Sequence, residues 1–329
     1  MKFLEKNNFF ILIIIGALLH IVSAIYSVGF YNMDEQFQIL GPVEYLLGIN
    51  NQLFTEIWEF TDAGRIRPWF QSYLYYFIIE ILKFLEINDP FSWAFILRLL
   101  NSIFGFIVII LFYNLIKDDY KINNIFSKIV ILLFWFYPII HSRTSSENLG
   151  FSFFLLGLFF VFYIYKNKGN IILNSILIGI FLGISIIIRY HFIIFVLALF
   201  LHMLLFRFSL KNLYASLVIF IFICCIFIFG IFLDSLAYGE VNFTIINYFK
   251  INNDHAFASF GEEPVWYYLI ETLLNFSFPI SFFIIFSMTV FFYTKPKDIL
   301  TFISLPYLII LTMLTHKELL KLIAEEKKH

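Results

Sequence analysis

Apolar stretches long enough to cross a lipid bilayer recur along the whole chain, and no other feature restricts its fold so strongly. They lie near residues 9–30, 70–88, 93–116, 125–140, 149–166, 171–189, 191–206, 213–233, 264–292 and 299–316. Of the 329 residues, 61% are hydrophobic and 14% are charged, and one water-soluble core cannot hide so much apolar surface. Because a membrane-spanning helix needs roughly 17–25 apolar residues, we expect an all-α polytopic membrane protein with about 9–11 transmembrane helices. We treat residues 1–329 as a single membrane-embedded domain.

The basic residues predict how the chain is oriented, because lysine and arginine in short loops stay on the cytoplasmic side. Lys2 and Lys6 precede the first apolar stretch, which is too long for a signal peptide and is expected to be retained. If residues 70–116 cross the membrane an odd number of times, the later basic loops are cytoplasmic as well. Three polar segments, 31–68, 141–148 and 234–263, then face the extracytoplasmic side together.

An acidic pair, Asp34 and Glu35, follows the first apolar stretch directly. Two carboxylates at a membrane surface can take up a proton, hold a metal or activate a hydroxyl nucleophile. Acidic residues are also favoured at the N-terminus of a helix. The helical spacing of Phe37, Leu40 and Val43 predicts such a helix here, amphipathic and lying on the membrane surface. Spacing alone leaves both interpretations of the acidic pair open.

Arginines lie in two of the polar segments. Arg67 closes the first, near Glu59, where it can clamp a phosphate or anchor the chain beside lipid headgroups. Arg143 lies four residues before Glu147, so the two can form an ion pair if the segment is helical.

Other polar residues lie inside or at the ends of the apolar stretches. Arg98 and Arg189 fit a helix end from which the side chain reaches the interface. The only cysteines, Cys224 and Cys225, are adjacent in an apolar stretch and show no zinc-binding spacing. We therefore expect no cysteine-based zinc site, and the absence of a basic tract with interleaved aromatics argues against a nucleic-acid partner.

Five elements that carry these polar residues occur in a fixed order. They are Asn32-Met33-Asp34-Glu35-Gln36-Phe37-Gln38, Ile57-Trp58-Glu59-Phe60 with Ile66-Arg67-Pro68, Arg143-Thr144-Ser145-Ser146-Glu147-Asn148, Asp234 to Gly239 with the aromatic run to Tyr268, and His316-Lys317-Glu318. Together they resemble the dolichol-dependent α-mannosyltransferases of GPI-anchor and N-glycan assembly, glycosyltransferase family 22. The corresponding family motifs include H-P-D-E-x-F-Q, T-W-E-W, R-T-x-S-N-x-x-E, D-x-x-x-Y-G and H-K-E. Here Asn32-Met33 replaces the H-P, and the chain stops soon after the H-K-E, as in a shortened member or a truncated chain.

The resemblance implies a GT-C-type membrane glycosyltransferase that needs no metal or other cofactor. It implies inverting transfer of a hexose, most simply mannose, from a polyprenyl- or dolichyl-phosphate donor to a lipid-linked glycan or glycolipid acceptor. Asp34 is then the catalytic base, with Glu35 as the alternate. The residues assigned by the resemblance to the donor phosphate or the substrates are Glu59, Arg67, Arg143, Asp234, His316, Lys317 and Glu318. The site is expected to be extracytoplasmic, in the endoplasmic reticulum of a eukaryote or the inner (plasma) membrane of a bacterium, and the composition favours the bacterium.

Two other functions are compatible with many spans and polar loops. A transporter or flippase of lipid-linked saccharides predicts charges at mid-membrane depth and inverted repeats, and neither is clear in this sequence. A polymerase or ligase of surface polysaccharides shares the many spans and the long outer loop. The position of Asp34 and Glu35 directly after the first apolar stretch favours the glycosyltransferase.

Overall fold

The computed structural model describes residues 2–29, 33–49, 52–62, 64–253, 264–275 and 278–313. In this part of the chain the regular structure is helical and no β-strand occurs, so the predicted all-α class is confirmed. The helices are α1 Lys2–Tyr26, a π-helix Glu35–Leu40, α2 Gly41–Leu46, α3 Leu53–Glu56, α4 Phe70–Phe84, α5 Pro90–Ile116, α6 Ile125–Leu133, α7 Phe136–His141, α8 Ser146–Tyr165, α9 Ile171–Ile188, α10 Phe192–Phe206, α11 Leu210–Tyr238, α12 Thr244–Asn253, α13 Tyr267–Asn275, α14 Ile280–Thr294 and α15 Ile299–Met313.

Several of these helices are long and apolar enough to cross a membrane. Among the described residues there are five, namely α1 from Asn8, α5, α8, α9 and α11. Helices α14 and α15, bent by 120° at a short break, provide a sixth if the pair is counted as one span. The protein is therefore a multi-pass membrane protein as predicted, while the expected number of 9–11 spans stays a prediction.

Proline explains why two of the predicted stretches are interrupted. The stretch 125–140 is split into α6 and α7 at Phe134, four residues before Pro138. Pro138 has no N–H to bond the Phe134 carbonyl, and its ring crowds that carbonyl, whereas in the first turn of α7 a proline is tolerated. In the stretch 264–292, where a kink was expected, α14 begins directly after Pro279.

The described helices belong to two compact units. The first comprises Met1–Tyr190 and Val218–Thr244. Its helices approach closely where glycines face a neighbour. A Cβ atom added at Gly179 of α9 would lie 2.5 Å from Phe222 Cβ of α11, and one at Gly183 would lie 2.8 Å from Ile226 Cβ. Small residues four apart allow this close packing of membrane helices.

A π-helix followed by α2 occupies the part of the first loop (residues 31–68) in which an amphipathic helix was predicted. Ile39 and Val43 are buried in a cluster that includes Tyr75 of α4, Leu97 of α5 and Leu149 of α8. This segment is therefore anchored in the first unit by its apolar side chains. Its amphipathic character and its placement on the membrane surface stay predictions.

The second unit comprises His191–Leu217 and Ile245–His329. Within it α10 packs against α15, and the rings of Phe195 and Tyr307 are stacked with their centroids 4.0 Å apart. His202 Nε2 lies 3.2 Å from the carbonyl oxygen of Lys297. This contact links α10 to the segment that precedes α15.

Candidate active site

Hydrogen bonds in the first unit bring the polar segments of the chain into direct contact. Thr144 Oγ1 donates to Glu35 Oε2 over 3.1 Å, and Gln71 Nε2 donates to the Thr144 carbonyl oxygen over 2.8 Å. The backbone N–H of Trp69 donates to Asp234 Oδ1 over 2.8 Å. The first loop and the start of α4 thus contact both the 141–148 segment and the end of α11.

The two carboxylates of the acidic pair have different environments. Glu35 is only 4% exposed, and both the hydroxyl and the backbone N–H of Thr144 approach its Oε2. Asp34 is partly exposed and occupies the N-cap position of the π-helix, yet its side chain makes no capping hydrogen bond. The capping interpretation of Asp34 therefore has no support from this geometry, and Asp34 is the more accessible carboxylate of the pair.

Two arginines hold the backbone that leads from α1 to the acidic pair. Arg98 Nη1 donates to the carbonyl oxygen of Ser27 over 2.5 Å. Arg143 Nη1 donates to the carbonyl oxygen of Gly29 over 3.3 Å. Arg98 also interacts electrostatically with Arg143 and with Glu35. The positive charge of Arg98 therefore lies in the neighbourhood of the Glu35 carboxylate, whereas from the sequence Arg98 is expected only to be a residue at a helix end.

Charged and amide side chains link the end of the first loop to α8 and to the end of α9. Arg67 is ion-paired with Glu59, and both side chains are almost buried. Gln38 Nε2 donates to Glu59 Oε1 over 3.4 Å, and Arg189 Nη1 donates to Gln38 Oε1 over 3.1 Å. Arg189 Nη2 lies 2.8 Å from Glu147 Oε1.

This linkage differs from the local pairing that the sequence allowed. Arg143 precedes α8, which begins at Ser146, so Arg143 and Glu147 do not share a helical turn. Glu147 instead forms an ion pair with Arg189. Neither Arg189 nor Gln38 is recognisable from the sequence as a member of the site, and a charge at the end of an apolar stretch is the only signal for Arg189.

Asp234 connects the end of α11 to the backbone that directly follows the first loop. It is 4% exposed, accepts from the Trp69 backbone, and its Oδ2 lies 3.5 Å from the Tyr190 hydroxyl. Burial, and then the charge of Asp234, raise the pKa of Tyr190 well above its usual 10.0, so the phenol stays protonated. Nearby, the Tyr238 hydroxyl donates to the carbonyl oxygen of Arg67 over 3.0 Å. These contacts position the backbone next to Arg67, and the substrate-binding role of Asp234 stays a prediction.

A second polar pair lies on the α1 side of the unit. His20 Nε2 lies 3.0 Å from His141 Nδ1, and His20 Nδ1 lies 2.7 Å from the carbonyl oxygen of Gly16. Both histidines are buried. They are 121 residues apart, and no local pattern indicated that they meet.

Part of the predicted site lies outside the described residues. This applies to the candidate residues His316, Lys317 and Glu318, to Asn32 of the first motif and to residues 254–263 of the fourth. Within the part that is described, no group of three or more His, Cys, Asp or Glu side chains is arranged to hold a metal ion.

The helices and these contacts define a multi-pass membrane protein in which an acidic pair, arginines and amides are gathered in one unit. The sequence profile of the Alg9-like mannosyltransferase family matches residues 9–320. The chain belongs to this family, which confirms the resemblance drawn from the five motifs, and its all-α multi-pass architecture is consistent with a GT-C-type glycosyltransferase. No individual curated protein and no solved structure matches the chain significantly.

Proposed function

We propose that this protein transfers a mannosyl residue, with inversion, from a polyprenyl- or dolichyl-phosphate donor to a lipid-linked glycan or glycolipid acceptor. The observation that carries the proposal is the match to a mannosyltransferase family over residues 9–320. The accessible Asp34, next to the buried Glu35 at the start of the first loop, supports the assignment of the reaction to this position.

Asp34 acts as the general base in this proposal. Its carboxylate takes the proton of the acceptor hydroxyl while the hydroxyl oxygen attacks the anomeric carbon of the donor. The bond from that carbon to the phosphate oxygen breaks, and its electron pair leaves with the polyprenyl phosphate. Attack from the face opposite the phosphate inverts the anomeric configuration. Glu35, held by Thr144, positions the π-helix that follows Asp34 and is the alternate base.

Arg143 is the cation that we assign to the leaving phosphate. Of the three cations that the resemblance implies, Lys317 lies outside the described residues, and Arg143 is closer in sequence than Arg67 to the residue that contacts the acidic pair. Arg143 lies directly before Thr144, which holds Glu35, and Arg98 adds a second positive charge nearby. Preorganised cations of this kind stabilise negative charge that develops on a leaving group, so transfer needs no metal.

Transfer assays with purified protein test the assignment of the base. The donor is labelled polyprenyl-phosphate mannose, and lipid-linked glycans serve as acceptors. We expect Asp34→Asn to lower the rate by about 10²–10⁴-fold, the range for loss of a general base. Asp62→Asn is the matched control, because Asp62 is an exposed acid of the same loop and its ion pair with Arg65 is on the surface. Equal rates for Asp34→Asn and the wild type would refute the assignment.

The extracytoplasmic location of the site needs a separate test. Cys224 and Cys225 are first replaced by alanine, and single cysteines are then placed at the exposed positions Met33 and Val241. An impermeant thiol reagent should label both from outside the cell or from the lumen, whereas a cysteine at Lys168 should react only after permeabilisation. Cytoplasmic labelling at Met33 or Val241 would contradict the proposed orientation.

A further inference from the structure

A small cleft opens in the first unit beside the end of the first loop. It is lined by Gln38, Ile39, Arg67, Pro68, Gln71, Ser146, Ile188 and Arg189. It has room for about one water-sized group, the minimum that a polar site can hold. So small a space, lined by polar side chains as well as apolar ones, restricts its ligand to a single functional group.

Each arginine in the cleft has a carboxylate partner. Arg67 is ion-paired with Glu59, and Arg189 Nη2 lies 2.8 Å from Glu147 Oε1. A phosphate entering the cleft would have to compete with carboxylates that the protein already supplies. A neutral polar group meets no such competition, so the charges favour an uncharged ligand.

Among the polar atoms of the lining residues that have no hydrogen-bond partner within the described structure, Gln71 Oε1 and Arg67 Nε are complementary. Gln71 is 2% exposed, and its Nε2 donates to the Thr144 carbonyl oxygen and to the Tyr75 hydroxyl. Because a carbonyl oxygen can only accept, this contact fixes the amide orientation and leaves Oε1 as a buried acceptor without a donor. Arg67 Nε is a buried donor without an acceptor.

A hydroxyl group has the hydrogen-bonding capacity that both atoms need, because it has one hydrogen to donate and two lone pairs to accept. A phosphate oxygen can accept from Arg67 Nε, but as an unprotonated anion it has no hydrogen for Gln71 Oε1. We propose that this cleft binds one hydroxyl group of a saccharide substrate, which accepts from Arg67 and donates to Gln71. This inference rests on the proposed function, and the hydroxyl belongs either to the transferred mannosyl group or to the acceptor sugar.

Deoxy analogues identify the hydroxyl and its source. One series removes single hydroxyls from the donor's mannosyl group, and the other removes them from the acceptor's terminal sugar. We expect the wild type to lose about 10- to 100-fold in kcat/KM for one analogue, as for a lost hydrogen bond to a charged group. The series in which that analogue falls shows whether donor or acceptor enters the cleft.

Two variants assign that loss to the cleft. Arg67→Lys keeps a positive charge near Glu59 but removes Nε, and Gln71→Met keeps the length of the side chain but removes Oε1. Each should transfer the native sugar less efficiently and should no longer distinguish it from the critical deoxy analogue. Gln52→Met, at an exposed glutamine of the first loop, should discriminate like the wild type. Gln71→Met also loses the two hydrogen bonds that Gln71 Nε2 donates. The thermal midpoints of both variants are therefore measured, so that an effect on recognition is separated from an effect on folding.

Three results would overturn the inference or separate it from the proposed function. If the cleft holds only a fixed water, each variant should lower kcat/KM by the same factor for the native sugar and for every analogue, and this result would exclude the hydroxyl site. A wild type whose kcat/KM is the same for all analogues would exclude it as well. If the wild type transfers nothing, the proposed function fails, and thermal shifts with the same two series still measure recognition. In that case, a difference in thermal shift between analogues that is present in the wild type and lost in Arg67→Lys supports the hydroxyl site. Equal thermal shifts of the wild type with all analogues overturn it.

Discussion

Thr144 holds the carboxylate of Glu35 with two donors, its hydroxyl at 3.1 Å and its backbone N–H at 3.4 Å from the same oxygen, Oε2. The two residues are 109 positions apart, so this contact joins the loop after α1 to the segment before α8. Because Glu35 follows Asp34 directly, whatever fixes Glu35 also restricts the position of the proposed base.

Loss of the Thr144 hydroxyl should therefore impair both stability and transfer. Thr144→Val keeps the shape of the side chain but removes the donor, and a hydrogen bond to a charged group contributes about 2 kcal/mol. We expect a lower thermal midpoint and a transfer rate reduced by roughly 10-fold, whereas Thr144→Ser should retain most of both. A valine variant with wild-type rate and midpoint would show that this bond does not position the site.

The buried phenol of Tyr190 predicts how stability responds to high pH. Its pKa in the folded protein is raised, first by burial and then by Asp234, above its usual value of 10.0. The unfolded chain therefore loses this proton at a lower pH than the folded protein does, and stability falls as pH rises above 10. Thermal midpoints between pH 9 and about 11.5 should fall less steeply for Tyr190→Phe than for the wild type. Tyr293→Phe, at an exposed tyrosine, serves as the control and should follow the wild type.

The close packing of α9 against α11 predicts a strong effect of a larger residue at Gly179. A Cβ atom there would lie 2.5 Å from Phe222 Cβ and 2.8 Å from the Ile219 carbonyl oxygen. Neither atom can move aside without shifting the helix, so Gly179→Leu should destabilise the protein by about 3 kcal/mol or prevent folding. Leu173→Ala, on the exposed part of the same helix, should change the unfolding midpoint in detergent very little. A normal midpoint for Gly179→Leu would contradict the described helix pair.

Metal independence can be tested directly. The proposed mechanism stabilises the leaving phosphate with Arg143 and Arg98, so we expect transfer to continue at an unchanged rate in excess EDTA. Arg143→Gln should slow transfer by about 100-fold, and Arg143→Lys should restore part of the rate because it keeps a positive charge. Loss of activity in EDTA that Mg²⁺ or Mn²⁺ restores would reject this part of the mechanism.

The sequence predicts the features of this protein that are local. The apolar stretches specify helices because their length and composition are contiguous, and the acidic pair is visible because it follows the first stretch directly. Even the break between α6 and α7 has a local cause, since Pro138 cannot bond the carbonyl of Phe134.

Contacts between distant residues could not be predicted in the same way. Arg189 bonds Gln38, which lies 151 residues earlier, and the arginine alone looks like a residue that reaches the lipid interface. Glu147 has a possible partner four residues before it, yet tertiary packing pairs it with Arg189. The polar lining of the cleft near Gln71 likewise depends on the orientation of the Gln71 amide. The Thr144 carbonyl oxygen fixes that orientation, and this contact forms only in the folded unit.

The bond from Trp69 to Asp234 also has a consequence for biosynthesis. Its acceptor is translated 165 residues after its donor, which at ribosomal speed corresponds to about 10–30 s. During this interval the donor just after the first loop has been synthesised, whereas its acceptor in α11 has not. A chain whose synthesis stops before residue 234 therefore has the contact between Glu35 and Thr144 available but lacks the acceptor for Trp69.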